Sequence, residues 1–125
     1  MTQPNIVFIF TDQQRSDTMG YAGDPVAQTP AFDRLAGEGV VFPQCVTSSP
    51  VCMTARASIM TGRQVHQHGV WAFANPELRF GRSHVRDVRD RGYTTGIVGK
   101  NHLWSHGGGE HADEHLEGLH DWGFD

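Results

Sequence analysis

The residues of this sequence best suited to chemistry are Cys52 and Arg56, which lie four positions apart. We expect Cys52 in the opening turn of a helix, where free backbone N–H groups and the helix dipole favour negative charge. Residues with this spacing share a helix face, so the Arg56 guanidinium lies on the side of Cys52. A thiol or its derivative, an anion-binding helix end and a guanidinium then meet, and together they suit sulfate or phosphate.

The neighbouring residues predict the helix that presents this pair. Ser48 or Ser49 can cap its start, Pro50 suits its first turn, and Gly62 is placed to end it. From these residues alone, a buried structural thiol at a helix start is an equal alternative, because most free cysteines are of that kind.

A pair of oxygen donors follows the first candidate strand. Residues 5–11 form a continuous apolar run, typical of a strand buried on both faces, and Asp12 and Gln13 come directly after it. A carboxylate and an amide oxygen are hard ligands suited to Ca²⁺ or Mg²⁺. The alternative is a polar turn that simply ends the strand.

A second candidate strand, residues 93–99, is followed by Lys100, Asn101 and His102. If the two strands are parallel, this segment lies at the same sheet edge as Asp12, and open α/β sheets bind their ligands at that edge. Without such a ligand, the lysine and the histidine are ordinary surface residues.

Other segments complete an alternation of strands and helices. Thr29 and Pro30 predict the start of a helix, residues 40–42 a short strand, and Ser83 the cap of a short helix that runs through Arg91. This alternation predicts an α/β fold.

The composition excludes several classes of function. The net charge of −4 in 125 residues, without a basic stripe, argues against a nucleic-acid partner. The apolar run at residues 6–10 is too short to span a membrane and lacks the features of a secretory signal. Cys45 and Cys52 do not make a disulfide framework. We therefore expect a soluble, cytoplasmic protein that binds neither nucleic acid nor membrane.

The histidines outside the groups above carry less weight. His111 and His115 have the spacing of a metal pair on a helix, but no glutamate follows the first as in a zinc protease. Solvated histidines are the favoured interpretation. His66 and His68 flank the helix of Cys52, and the sequence assigns them no role.

The segment that begins at Cys52 resembles the signature of the sulfatases, a branch of the alkaline-phosphatase-like superfamily. The family pattern is Cys, any residue, Pro or Ala, any residue, Arg, and then a short run that ends in Thr-Gly. Cys52, Arg56 and the ending Thr61-Gly62 match this pattern, and Thr54 stands where Pro or Ala is usual.

Other segments resemble the same family, in the family's order, and extend the resemblance over nearly the whole chain. They resemble its first metal-binding pair, its early helix and strand, the continuation of its signature, its second active-site segment and a later stretch: Asp12-Gln13 and residues 29–42, 61–70, 92–102 and 120–125. Asn101 stands where the family usually has Trp between the Lys and the His. Several matches in the correct order are a much stronger signal than any one of them.

The resemblance implies the N-terminal part of an alkaline-phosphatase-like, mostly parallel sheet with flanking helices. Family members run to several hundred residues, and their second half supplies further metal ligands, a His and a Lys that these 125 residues lack. Residues 1–125 are therefore expected to form the N-terminal portion of a sulfatase catalytic domain, single and truncated. The isolated chain is expected to be inactive.

The resemblance further implies that a formylglycine-generating machinery reads the motif and oxidises Cys52 to formylglycine. One hydroxyl of the hydrated aldehyde would attack the sulfur of a small sulfate-ester substrate, and the alcohol would leave. The second hydroxyl would then collapse to the aldehyde and expel sulfate. Such chemistry needs a metal to acidify the hydroxyl and cations to hold the charge on the sulfate oxygens. By resemblance the metal ligands are Asp12, Gln13 and residue 52, with Ca²⁺ preferred and Mg²⁺ as the second choice.

Three further catalytic residues follow from the same resemblance. Arg56 would fix the nucleophile, and Lys100 would neutralise a sulfate oxygen. His102 would hydrogen-bond the hydrated aldehyde and assist the release of sulfate.

Two alternatives to a sulfuric ester hydrolase remain at this point. One is a phosphonate or phosphodiester hydrolase of the same superfamily, which would use the same residues. The other is a non-catalytic truncated fragment, which would expose sheet edges and self-associate through them.

Overall fold

The computed structural model describes residues 3–72, 82–103 and 116–125. Over those ranges the chain contains no β-strand. It forms one 3₁₀ turn and five α-helices: Gly20–Ala22, α1 (Pro30–Glu38), α2 (Cys52–Thr61), α3 (Val65–His68), α4 (His84–Arg89) and α5 (Leu116–Trp122). The chain divides into two compact units, Met1–Val46 and Thr47–Asp125. No helix of the described segments is both long and apolar enough to cross a membrane.

The first unit is organised where the 3₁₀ turn meets the start of α1. As predicted, α1 begins at Pro30 with Thr29 as its N-cap residue. The Thr29 hydroxyl does not cap the helix but donates to Asp33 Oδ1 at 2.9 Å and accepts from the Gly20 N–H at 2.8 Å. Asp33 Oδ1 also accepts from the Tyr21 N–H at 2.8 Å, so one carboxylate joins the turn to the helix.

The three segments predicted as strands, residues 5–11, 40–42 and 93–99, do not form strands. A strand must hydrogen-bond to a neighbouring strand, and the described residues provide no such neighbour for these runs. The parallel sheet therefore stays a prediction.

Helix α2 lies at the centre of the second unit and is buried around most of its circumference. Its buried residues are Met53, Thr54, Ala55, Arg56, Ala57, Ser58 and Met60. Met53 and Ala57 pack with Val70, which follows α3. Met60 packs in a separate cluster with three residues from later in the chain, Leu103, Trp122 and Phe124. A helix buried in this way needs no amphipathic stripe, which explains why α2 has little periodicity in its sequence.

The start of α2 corrects one prediction, and its end confirms another. Neither Ser48 nor Ser49 caps the helix, and Pro50 precedes its first turn, because Val51 is the N-cap residue. The Ser49 hydroxyl accepts from the Val51 N–H at 3.1 Å, so it orders the approach to the helix. Gly62 ends the helix as predicted, with a φ of 66° and its N–H bonded to the Ser58 carbonyl at 2.8 Å.

Helix α4 and the C-terminal segment are joined by a network of hydrogen bonds. Ser83 caps α4 as predicted, accepting from the Arg86 N–H at 3.1 Å, and its hydroxyl also donates to the Trp122 carbonyl. The helix ends at Arg89, two residues earlier than predicted. Gly123 has a φ of 105°, and a Cβ there would lie 2.5 Å from the Arg86 nitrogen, so only glycine fits this close approach.

The same C-terminal segment is hydrogen-bonded to Thr95, which lies within the predicted second active-site segment. The Thr95 hydroxyl donates to the Gly123 carbonyl at 2.6 Å, and the Thr95 N–H donates to Asp125 Oδ2 at 2.7 Å. The Asp125 N–H returns a bond to the Thr95 carbonyl at 3.1 Å. These bonds tie Thr95 to the C-terminal segment, about thirty residues away in the sequence.

Candidate active site

Cys52 is the first residue of α2, as the sequence predicts, and its thiol is free and partly buried. The backbone N–H groups of the first helical turn point out of the helix N-terminus, since no preceding turn offers them carbonyl acceptors. The α2 dipole adds partial positive charge at the same end. This position suits a nucleophile whose reaction places negative charge nearby.

Arg56 links the helix of Cys52 to the segment that contains Lys100. The guanidinium is buried, with 8% of the residue exposed, and its Nη1 donates to the Lys100 carbonyl oxygen at 2.6 Å. Residues 56 and 100 are far apart in sequence, so this bond is a tertiary contact that the helix spacing alone could not predict. It brings two of the predicted active-site segments together.

The segment after Gly99 has an unusual backbone around the predicted catalytic residues. Gly99 has a φ of 89° and His102 a φ of 54°, which is rare for a residue with a side chain. Lys100 is exposed at this turn, and His102 is partly buried. Leu103 is buried in the cluster with Met60, and its N–H donates to Asn101 Oδ1 at 3.1 Å. The loop is therefore anchored directly after the histidine.

Asp12 and Gln13 lie in the first unit, at the end of the extended run, and both are exposed. Gln13 has a φ of 55°. Among the described residues, Gln13 and His102 are the only residues other than glycine with positive φ. Backbone strain of this kind concentrates at functional sites, and both positions were predicted as site residues from the sequence.

The six predicted site residues divide between the two units. The second unit contains Cys52, Arg56, Lys100 and His102, and a direct hydrogen bond joins Arg56 to Lys100. The metal pair belongs to the first unit. Its carboxylate and amide oxygens fit a hard cation chemically, but two protein donors are fewer than the six to eight oxygens that Ca²⁺ takes. Within residues 3–72, 82–103 and 116–125, no group of three or more His, Cys, Asp or Glu side chains could hold a metal. The His111 and His115 pair lies outside the described residues.

A buried hydrogen bond that the sequence did not predict supports α2 from the side. Ser58 Oγ and His68 Nε2 are 2.8 Å apart, and His68 Nδ1 accepts from the Val70 N–H at 3.1 Å. Burial is the main cause that lowers the pKa of His68, and the nearby His66 lowers it further.

Helix α3, which carries both histidines, begins with a capping box between Gln64 and Gln67. Glutamine is an uncommon cap residue, so the usual start signals for a helix were missing.

Known proteins resemble this chain over most of its length. Residues 4–125 match the family model described as Sulfatase. An ulvan-active sulfatase of Formosa agariphila is 41% identical over 109 residues, with 84% of this chain and 20% of that protein covered. An N-acetylglucosamine-6-O-sulfatase of Bacteroides thetaiotaomicron is 32% identical over 121 residues, with 97% of this chain and 22% of that protein covered.

A human sulfatase is also similar to this chain. The N-acetylgalactosamine-6-sulfatase of Homo sapiens is 31% identical over 113 residues, with 80% of this chain and 22% of that protein covered. The chain thus spans about a fifth of the length of the curated relatives it matches. No solved structure gives a significant match. The resemblance inferred from the Cys52 motif and its companion segments is confirmed, because the family match runs from residue 4 to residue 125: the chain belongs to the sulfatase family.

Proposed function

We propose that this chain carries the nucleophile segment of a sulfuric ester hydrolase, with position 52 as the attacking residue. The observation that carries the proposal is the hydrogen bond from Arg56 to the Lys100 carbonyl. It ties the helix that begins at Cys52 to the loop that bears the two other predicted catalytic side chains. Membership of the sulfatase family supports hydrolysis of sulfate esters as the reaction class.

Each residue of the second unit has a defined task in this proposal. The exposed Lys100 ammonium binds a sulfate oxygen as a point charge. The buried Arg56 guanidinium holds the loop and keeps positive charge beside the start of α2. His102, held by its strained backbone and by the burial of Leu103, exchanges a proton with the oxygen on residue 52.

Two groups complete the proposed site. A formylglycine made from Cys52 by a modifying machinery would supply the hydroxyl nucleophile that a free thiol lacks. By resemblance to the family, a divalent cation, Ca²⁺ or else Mg²⁺, would take Asp12, Gln13 and residue 52 as ligands and would favour ionisation of that hydroxyl. The remaining ligands of such a cation would come from outside this set of residues.

Mass spectrometry of the protein purified from its native source tests the nucleophile directly. The peptide that contains Cys52 is expected to carry an aldehyde, detectable as a hydrazone after reaction with a hydrazine. The peptide with Cys45 is a matched control, because that cysteine is free and exposed but lacks the following motif. An unmodified thiol at position 52 in an active protein would refute the formylglycine mechanism.

A substrate panel tests the reaction class. Sulfate monoesters, phosphonate esters and phosphodiesters are offered to the same full-length preparation, and kcat/KM is measured for each. We expect sulfate monoesters to be the best substrates, and Lys100→Ala to lower kcat/KM for them. Turnover of phosphonate esters without turnover of sulfate esters would replace the proposal with the alternative hydrolase.

A further inference from the structure

The contact between His68 and α2 has a defined direction. His68 Nδ1 accepts a hydrogen bond from the Val70 N–H at 3.1 Å, so this nitrogen carries no proton. In the neutral ring the proton then sits on Nε2, which lies 2.8 Å from Ser58 Oγ. The ring therefore donates to the Ser58 hydroxyl, and both nitrogens are used. His68 and Ser58 are both buried.

The same short segment also contacts α2 through apolar atoms. Val70 is buried against Met53 and Ala57. The His68 ring is hydrogen-bonded to Ser58, the residue directly after Ala57. Met53 directly follows Cys52 in the helix. Ser58 is six residues beyond Cys52, about 9 Å along the helix axis at 1.5 Å per residue. The segment 68–70 thus holds α2 at two points, one of them beside the proposed nucleophile.

We propose that His68 is a positioning residue: its bond to Ser58 fixes the rotation of α2 about its own axis, and so the direction in which residue 52 faces. A helix moves largely as a rigid unit, so a rotation allowed at Ser58 is transmitted to its first residue. A displacement of about 1 Å at a reacting group can lower a rate by about a hundredfold. The proposal rests on the proposed function for its kinetic test but not for its structural one.

Two substitutions separate the two bonds of the ring. His68→Gln places an amide nitrogen near the former Nε2, so it keeps a donor for Ser58 and loses the acceptor for Val70. His68→Asn places an amide oxygen near the former Nδ1, so it keeps the acceptor and loses the donor for Ser58. Ser58→Ala removes the same bond from the other side. If the Ser58 bond positions the helix, only His68→Gln preserves the function.

The kinetic test uses the full-length protein, 4-nitrophenyl sulfate as substrate, and rates normalised to the aldehyde content at position 52. We expect His68→Asn and Ser58→Ala to lower kcat about tenfold with KM changed less than about twofold, and His68→Gln to stay within about threefold of the parent protein. The double variant Ser58→Ala/His68→Asn should lose no more than either single variant, because both remove one bond. A loss in His68→Gln equal to that in His68→Asn, a change confined to KM, or an unaffected Ser58→Ala would overturn the proposal.

A second measurement does not depend on the reaction. In protein kept in the thiol form, the rate of Cys52 alkylation by iodoacetamide is divided by that of the exposed Cys45. We expect this ratio to change in Ser58→Ala and His68→Asn and to be preserved in His68→Gln. If the parent protein turns over no sulfate ester but the ratio follows this pattern, the proposed function fails and the positioning role stands. If turnover is present and neither the ratio nor kcat responds, the positioning role alone fails.

Discussion

Helix α2 and the extended run at residues 6–10 have opposite relations between sequence and burial. The run Ile6-Val7-Phe8-Ile9-Phe10 is among the most apolar stretches of the chain, yet its residues are between 42% and 82% exposed. Helix α2 contains small and polar residues, yet most of it is buried and Met53 is fully covered. A helix satisfies its backbone hydrogen bonds internally, so it can be buried by any set of neighbours. An extended run needs a partner strand first, so apolar composition alone does not bury it.

The largest effect that would sharpen this comparison is the loss of a core side chain from α2. Met53→Ala removes a fully buried side chain and is expected to lower the free energy of unfolding by about 3 kcal/mol. Val7→Ala in the extended run is the matched control and should change it by less than about 0.5 kcal/mol. Urea denaturation measures both. A large cost for Val7→Ala would show that a partner strand, from a second copy or from elsewhere in a longer protein, covers this run.

A smaller loss of stability is expected when the hydrogen bond between Arg56 in α2 and the Lys100 carbonyl is removed. Arg56→Ala leaves the Lys100 carbonyl without the guanidinium and should cost about 2 kcal/mol, because hydrogen bonds to charged groups are stronger than neutral ones. Arg63→Ala, at an exposed arginine just after the same helix, is the control and should be nearly neutral. Equal stability of the two variants in urea would contradict a structural role for the Arg56 bond.

Substitution of Thr54 by an apolar residue is expected to stabilise the protein, unlike the two substitutions above. Its hydroxyl is buried and has no hydrogen-bond partner among the described residues, so Thr54→Val should raise the free energy of unfolding by about 1 kcal/mol. Thr61→Val in the same helix is the control, because the Thr61 hydroxyl donates to the Ala57 carbonyl at 2.7 Å and its loss should destabilise. Thermal unfolding of both variants gives the sign. Destabilisation by Thr54→Val would mean that this hydroxyl has a partner.

Thr54 also stands where the family usually has Pro or Ala, so the same position bears on the proposed modification of Cys52. If the modifying machinery requires the usual residue, Thr54→Ala raises the aldehyde fraction measured by mass spectrometry. An unchanged fraction would show that the machinery accepts threonine at this position.

The smallest effect concerns pH and the contact between α2 and α3. Burial lowers the pKa of His68 below its ordinary value of 6.5, and His66 acts in the same direction. The unfolded chain therefore binds a proton more readily than the folded chain, and stability falls as the pH drops below about 6.5 towards the folded pKa. His68→Asn should remove this part of the pH dependence in urea titrations between pH 7.5 and pH 5. An unchanged slope would mean that other groups cause it.

Local signals predicted several elements correctly. Thr29-Pro30 located the start of α1, Gly62 the end of α2, and Ser83 the cap of α4. Pro30 acts through its fixed φ, and Gly62 and Ser83 act through hydrogen bonds within a few residues, so these signals work in any tertiary setting. The predicted strands do not form within the described residues. A strand needs hydrogen bonds from a neighbouring strand, and a local sequence signal cannot supply that neighbour. The α/β class itself follows from membership of the sulfatase family.

The sequence by itself determined the family and the position of Cys52 in the opening turn of α2, and it predicted the residues proposed to act beside Cys52. These properties depend on residue types and short spacings. Only the tertiary structure decided that Arg56 donates to the Lys100 carbonyl and that His68 is bonded to Ser58. It also decided that α2 is covered on most sides. Such contacts join residues that no local rule relates, because they depend on how the chain packs and not on the preferences of any one segment.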